Sequence, residues 1–310
     1  MSPERKLVLL PVDGSDQSME VVKYISKAVN LSQAEVVLLS IIDKAPDIFW
    51  EPGQDSTVSK HLEHMESWDS YKEKRMSECM KNACSLLATA GMAKDAMTCN
   101  VQKRKVGIAR DILTECKYGY NAVAIGRRGL GQMDESMLGS IASKVFINVV
   151  DAPVCLLGGK PKPGKILVGM DDSLGAVRAA NFVAKMLCNP DVSITLAHIA
   201  TIPGTQNGGV PSEDDAAKIV REREAKMKPI FDSAIKSLAA AGVKPENISI
   251  KVIKGSGSRA ANLYNEAKTG KFGTIVVGRK GVNDVEEFTM GRMPYKLGQI
   301  AKNVALWLVP

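Results

Sequence analysis

Leu7-Val8-Leu9-Leu10-Pro11-Val12-Asp13-Gly14-Ser15 stands near the beginning of the chain, and Ile166-Leu167-Val168-Gly169-Met170-Asp171-Asp172-Ser173 near its middle. Each is a short apolar run that ends in Asp, followed by a turn and a Ser. A second matched pair comes later: Ala122-Val123-Ala124-Ile125-Gly126-Arg127-Arg128-Gly129 and Thr274-Ile275-Val276-Val277-Gly278-Arg279-Lys280-Gly281. Asp13 and Asp171 lie 158 positions apart, and Gly126 and Gly278 lie 152 apart. The 310 residues therefore read as two copies of a unit of about 155 residues, too long for a solenoid repeat and of ordinary domain size. Between them, Gly158-Gly159-Lys160-Pro161-Lys162-Pro163-Gly164 has the composition of a linker. The expected division is 1–158, a linker at 159–164, and 165–310.

Inside the first unit, apolar strand-like runs alternate with helical periodicity. Residues 6–12 read as a buried strand, and 16–30 as a helix with Met19, Val22, Ile25 and Val29 on one side. Then come a strand at 35–42, a long helix at 58–90 and a strand at 98–105. A helix at 108–117, a strand at 121–126, a helix at 140–149 and a strand at 153–157 follow. The second unit repeats the order, with strands near 166–170, 192–199, 248–253, 273–277 and 304–309. This alternation predicts an α/β fold: two tandem, doubly wound, five-stranded parallel sheets with helices on both faces. Such sheets bind ligands at the carboxyl ends of their strands, where both the Asp and the Gly motifs fall. The last strands, 153–157 and 304–309, are expected at sheet edges, which invite pairing.

The chemistry-bearing stretch is Gly126-x2-Gly129-x9-Gly139-Ser140. Gly126 ends a strand, where a missing side chain leaves room for a ligand against the backbone. Gly139 and Ser140 open the next helix, whose unpaired N–H groups and dipole favour phosphate. Arg127 and Arg128 offer counter-charge, and Asp13, on the same edge, has a carboxylate able to accept from two ribose hydroxyls. Each feature also has a plain structural reading: turn glycines, a Ser at a helix start, and Asp13 as a cap for the first helix. Their joint order and spacing favour nucleotide binding. The second unit keeps Gly278, Gly281 and Gly291 but has Arg292 in place of the Ser and Pro294 in the first helical turn. Arg292 either pairs with a phosphate or fills its own pocket.

Other classes fit less well. Gly129-Leu130-Gly131 is not completed to a dinucleotide fingerprint, and no Walker loop is present. No apolar run approaches the roughly 18 residues of a membrane span, and the polar start, Met1 to Lys6, does not read as a signal peptide. The expectation is a cytoplasmic protein without membrane contact. The net charge is +7, but the basic residues are dispersed among acids and aromatics are only 5%. This argues for a small phosphate ligand rather than nucleic acid. Six cysteines without a CxxC pair read as reduced structural thiols. His61 and His64, three apart on the long helix, read as a solvated face, and His198 as structural or pocket-lining. Met19, Met65, Met76 and Met80 read as core or pairing surface. Trp50, in the 46–57 loop after the second strand, is either a lid over the ligand or packs on the long helix. Pro203 to Pro211 takes that loop's place in the second unit.

Taken together, these stretches resemble the universal stress protein family over essentially the whole chain, twice. The most specific part is Gly126-x2-Gly129-x9-Gly139-Ser140, the motif of the family's ATP-binding branch. The Pro11-to-Ser15 opening and the closing Ala152-Pro153-Val154-Cys155-Leu156-Leu157 are also similar to the family. The resemblance implies the adenine nucleotide alpha hydrolase-like fold and a regulatory, stress-response role. Pro11 and Asp13 would line the adenosine site, and Ile41 would touch adenine through its backbone. Gly126 and Gly129 would border ribose and phosphates, while Gly139, Ser140 and Ile141 would hold the phosphates of ATP. Mg²⁺ would be carried by the nucleotide, with no side-chain metal ligand. Asp171, Ile199, Gly278, Gly281, Gly291 and Arg292 would form a weaker second site. The resemblance further implies that the edge strands pair as an intrachain pseudo-dimer, with homodimers of whole chains and an unidentified protein partner also in view. The motif holds no evident general base, so turnover is expected to be absent or slow. A scaffold without nucleotide, and a slow ATPase or self-phosphorylating protein, stand as alternatives.

Overall fold

The computed structural model of the chain describes residues 5–43, 58–130, 137–187, 191–202, 212–281 and 289–310, apart from the side chains of 58–69. Trp50 and its loop, the Pro203–Pro211 loop, Gly131 and the side chains of His61, His64 and Met65 lie outside the described residues. The first half runs β1 (Lys6–Pro11), α1 (Asp16–Ala28), β2 (Ala34–Ile42), α2 (Val58–Thr89), β3 (Met97–Lys103), α3 (Ile108–Glu115), β4 (Ala122–Gly126), α4 (Ser140–Asn148) and β5 (Val154–Leu157). The second half runs β6 (Lys165–Gly169), α5 (Leu174–Phe182), β7 (Ser193–Thr201), α6 (Glu213–Ala240), β8 (Ile248–Gly255), α7 (Arg259–Thr269), β9 (Thr274–Gly278), α8 (Arg292–Ile300) and β10 (Ala305–Val309).

Within each half the strand order is that of a doubly wound sheet, β3-β2-β1-β4-β5 and β8-β7-β6-β9-β10, with parallel neighbours throughout. The central strands carry no polar alternation because both faces are covered. Val8, Leu9, Leu10, Leu167 and Val168 are all fully buried. Residues of α1, α2, α5 and α6 pack on one face and those of α3, α4, α7 and α8 on the other, each in a hydrophobic cluster that spans both halves.

Local signals set the helix starts. Ser15 Oγ accepts from Ser18 N–H, with Asp16 in the first turn, and Ser173 Oγ accepts from Ala176 N–H. The cap of α1 is thus Ser15. Asp13 stands outside the helix and accepts from Ser15 N–H at 3.0 Å and Ser15 Oγ–H at 2.6 Å. This corrects the alternative that placed Asp13 as the cap. A π-turn, Val183–Leu187, continues α5 with no forewarning in the sequence.

The two half-sheets join edge to edge. β5 pairs antiparallel with β10, with Leu157 opposite Ala305 and Val154 opposite Leu308, so ten strands form one sheet. The expected pairing of terminal strands is present within one chain. Of the linker residues, Lys162 passes so close to Gly273 that a Cβ there would meet its carbonyl oxygen, and Gly159 O accepts from Gln17 Nε2–H at 3.1 Å. The segment is docked on the body.

Candidate functional site

At the carboxyl edge of the first half, a cavity of about 400 Å³ is lined by the ends of β1, β2 and β4 and the start of α4. Pro11, Asp13, Ile41, Gly126, Gly129, Gly139, Ser140 and Ile141 all line it. This convergence follows from the topology: β1 and β4 are neighbours, and their connections leave from the same edge on opposite faces.

The start of α4 provides donors. Gly139 is its N-cap, with no side chain to satisfy the first turn. The Gly139 N–H is taken by Arg127 O at 3.0 Å, and Ser143 N–H closes the first helical bond to Gly139 O at 2.8 Å. The N–H groups of Ser140, Ile141 and Ala142, which precede that first bond, therefore lack intrahelical acceptors. They face a cavity that Arg128, Lys72 and Arg75 also line. Such a set suits an anion.

Asp13 is more occupied than its sequence position suggested. Its Oδ1 accepts both Ser15 donors, and its Oδ2 accepts Leu130 N–H at 3.0 Å. A carboxylate has about four acceptor positions, so two ribose hydroxyls would have to displace the Leu130 contact. The glycines also act differently from expectation. A Cβ on Gly129 would collide with Asp13 Oδ2, and one on Gly126 would lie 2.9 Å from Gln17 Cγ. The space beside these glycines is filled by Asp13 and by α1, rather than being kept open for a ligand.

Arg127 requires a correction. Its side chain does not line the cavity; it is 2% exposed and crosses to the second half. There Nη2–H donates to Gln299 O at 2.6 Å, and Nη1 contacts Gly298 O and Ala301 O. These are carbonyls of the last turn of α8 and its cap. Arg279 does the same in reverse, donating to Phe146 O at 3.2 Å, Ile147 O at 3.0 Å and Val149 O at the end of α4. Burial lowers the pKa of the Arg127 guanidinium and brings that of Arg279 down to about 10. The cations complement the negative ends of two helix dipoles in trans. The counter-charge expected from Arg127 falls to its neighbour Arg128.

The sequence reading also missed a stripe on α2, in which Tyr71, Lys72, Arg75, Met76 and Cys79 form one wall of the cavity. Their spacings of three and four put them on one helix face, which is the signal that was there to find. Burial, with nearby Asp13 adding to it, pushes the Cys79 thiol pKa up. Met80 is a core residue at 4% exposure, and Met19 and Met76 pack against the same cluster.

The second half has an equivalent cavity of about 780 Å³, lined by Asp171, Ile199, Gly278, Gly281, Gly291 and Arg292. Arg292 is exposed at the rim, so it does not fill the space with its own side chain. Arg259, Lys280 and Lys296 add further cations. Gly291 caps α8 without a side-chain bond, but Pro294 has no N–H, which leaves Arg292 and Met293 as the two donors before the first helical bond. His198 lines this cavity, with Nδ1 2.8 Å from Met170 O, and burial depresses its pKa. Among the described residues no cluster of three His, Cys, Asp or Glu side chains could hold a metal, and no helix is long and apolar enough to cross a membrane.

Fold and site together define a tandem α/β protein with a cavity at the switch point of each sheet. The model of the universal stress protein family matches residues 4–156 and again 163–305, and the chain belongs to that family. It is 25% identical over 155 residues to universal stress protein Sll1654 of Synechocystis sp., a match covering 49% of this chain and 85% of that protein. Among solved structures, a universal stress protein from Archaeoglobus fulgidus DSM 4304 is similar in fold, with a TM-score of 0.58 at 16% identity. That match covers 98% of this chain and 97% of the other. A functionally unknown protein from Pseudomonas aeruginosa PAO1 gives a TM-score of 0.54 at 10% identity, covering 98% and 92%.

Proposed function

We propose that the first half binds an adenine nucleotide, ATP with Mg²⁺, and that occupancy alters a surface read by a protein partner in a cytoplasmic stress response. The observation that carries this reading is the meeting, in one cavity of about 400 Å³, of an uncapped helix start with Arg128, Lys72 and Arg75. That volume is within the usual range for small-ligand sites. The phosphates would lie on the N–H groups of Ser140, Ile141 and Ala142. The adenosine would lie between Pro11, Asp13 and Ile41. Mg²⁺ would enter on the phosphates. The working division is 1–158 and 165–310, joined by 159–164. The second cavity is read as a weaker adenylate site, because its helix offers two N–H donors where the first offers three.

Native mass spectrometry with Mg-ATP tests this reading. One adenine nucleotide per chain is expected, lost in Gly139→Val, whose side chain would crowd the helix start. Two per chain would make the second cavity equally competent. None at millimolar nucleotide would refute the reading and leave a protein-binding scaffold.

A further inference from the structure

We propose that Cys84 and Cys99 form a reversible intrachain disulfide in response to peroxide, making the first half oxidation-sensitive and leaving the second half without that response. Their sulfurs lie 2.8 Å apart. Cys84 is on α2, and Cys99 is on β3, the edge strand of the ten-stranded sheet. Cys99 pairs in register with Leu38, which packs in the same cluster as Leu87 and Ala83 of α2. It therefore projects from the sheet toward the helix that carries Cys84. Bond formation needs the sulfurs to close from that separation to about 2.05 Å.

Packing alone does not call for two thiols here. The repeat supplies the comparison. Gly91 and Gly242 both end their long helices with positive φ, and counting from them puts Ile235 opposite Cys84 and Ile250 opposite Cys99. The second half thus carries two isoleucines at the equivalent positions of its helix and strand. Accessibility differs across the chain as well. Cys99 is exposed and Cys84 half-buried, whereas Cys116 and Cys155 are buried. Burial, reinforced by Cys99 alongside, pushes the Cys84 thiol up; Cys99, the exposed member of the pair, is the one that peroxide reaches and is the attacking group.

Cys99 sulfur, as thiolate, attacks one oxygen of hydrogen peroxide; the O–O bond breaks, the Cys99 proton leaves in water, and a sulfenic acid remains. Cys84 sulfur then attacks Cys99 sulfur. The S–O bond breaks, and the departing hydroxide takes the Cys84 proton and leaves as water. Two thiols lose two electrons and two protons, and one peroxide becomes two waters. A dithiol reductant reverses the bond. The bridge would tether α2, the helix that lines the first cavity through Arg75 and Cys79, to the sheet edge.

The test is intact-mass and non-reducing peptide mapping of the full chain before and after stoichiometric hydrogen peroxide. The expected result is loss of two hydrogens per chain, one cross-linked peptide pair containing Cys84 and Cys99, and restoration by dithiothreitol. Cys84→Ile and Cys99→Ile, which copy the residues of the second half, should each abolish the loss. Because the peptide map is read on the unaltered protein, a variant that fails to fold does not weaken the test. A bridge to Cys79, a disulfide between chains, or Cys99 oxidised to sulfinic acid without a bridge would overturn the proposal. None of these results depends on whether nucleotide binds.

Discussion

Arg127→Met isolates the reciprocal capping at the seam. Methionine keeps an unbranched stem of similar reach but removes the guanidinium. The carbonyls of Gly298, Gln299 and Ala301 then lose their donor inside a buried interface. Each stranded acceptor costs about 1–3 kcal/mol. Water entering the gap recovers part of this, and the guanidinium no longer has to be desolvated. The net loss should be about 3 kcal/mol. For a chain of this size that lowers the melting midpoint by roughly 4–6 °C, provided that the two halves unfold together. Arg279→Met should behave alike, because it strands Phe146, Ile147 and Val149 at the other end of the seam. Arg128→Met, one residue away and facing the cavity, is the control and should stay within about 0.5 kcal/mol. Arg279, with its pKa lowered to about 10, still carries its charge at neutral pH, so its penalty should be flat between about pH 6 and pH 9. Calorimetry of the three variants decides the matter. If Arg127→Met melted within about 1 °C of the parent, or no lower than Arg128→Met, the capping argument would be wrong.

Other perturbations address the cavities. Gly129→Ala drives a methyl group into Asp13 Oδ2 and should break the Leu130 contact, costing about 1–3 kcal/mol. Urea unfolding measures that loss, and a nucleotide titration should show weakened binding alongside it. His198 has a folded pKa below its ordinary value, through burial, so the folded state takes up its proton less readily than the unfolded state. Stability should therefore fall as pH drops below about 6.5, down through the lower folded value, and the fall should be smaller in His198→Gln. Urea midpoints at about pH 7.5 and 5.5 test it, and equal slopes in both proteins would remove His198 as the cause.

The order of strands and helices was legible because each strand is buried on both faces and each helix shows one apolar stripe. Predicted and observed boundaries differ by two residues or fewer at every predicted end, the largest differences being at α1, β3, α3, β7 and β8. That the site positions share one cavity was legible for the same reason: Pro11, Ile41 and Gly126 stand at or beside strand ends, which the doubly wound topology brings to one edge. Side-chain direction was not legible. Arg127 and Arg128 are adjacent in a loop, where no periodicity says which one turns inward. The repeat did hold a hint. Arg127 and Arg279 are kept in both halves, while Arg128 becomes Lys280 and Ser140 becomes Arg292. A residue retained where the cavity-lining chemistry changes points to architecture. The α2 wall was missed because periodicity shows which face of a long helix is apolar, without showing where the cavity opens against it.

The same repeat explains why the two halves pair with each other rather than each with its own copy. The offset of 152 residues that relates Gly126 to Gly278 also relates Cys155 to Trp307, and these two residues face each other in the β5–β10 register. They sit on the pseudo-twofold itself. Trp307 is fully buried, its ring 5.0 Å from Phe182, and its Nε1–H donates to Tyr24 Oη at 3.2 Å. Tyr24 Oη in turn lies 2.9 Å from Thr274 Oγ1. The symmetry-equivalent positions are Phe182 and Ala122, which are apolar. A self-paired first half would set Cys155 against Cys155 and leave a void, whereas a self-paired second half would force two indoles onto one axis. Large against small fits only in the mixed pair. Trp307→Cys should therefore cost roughly 3–5 kcal/mol through the cavity it opens. Adding Cys155→Trp should recover only part, since the relocated indole N–H would meet Phe182 instead of Tyr24. Full recovery would show that the seam is indifferent to which half carries the large residue, and the asymmetry would then not explain the pairing.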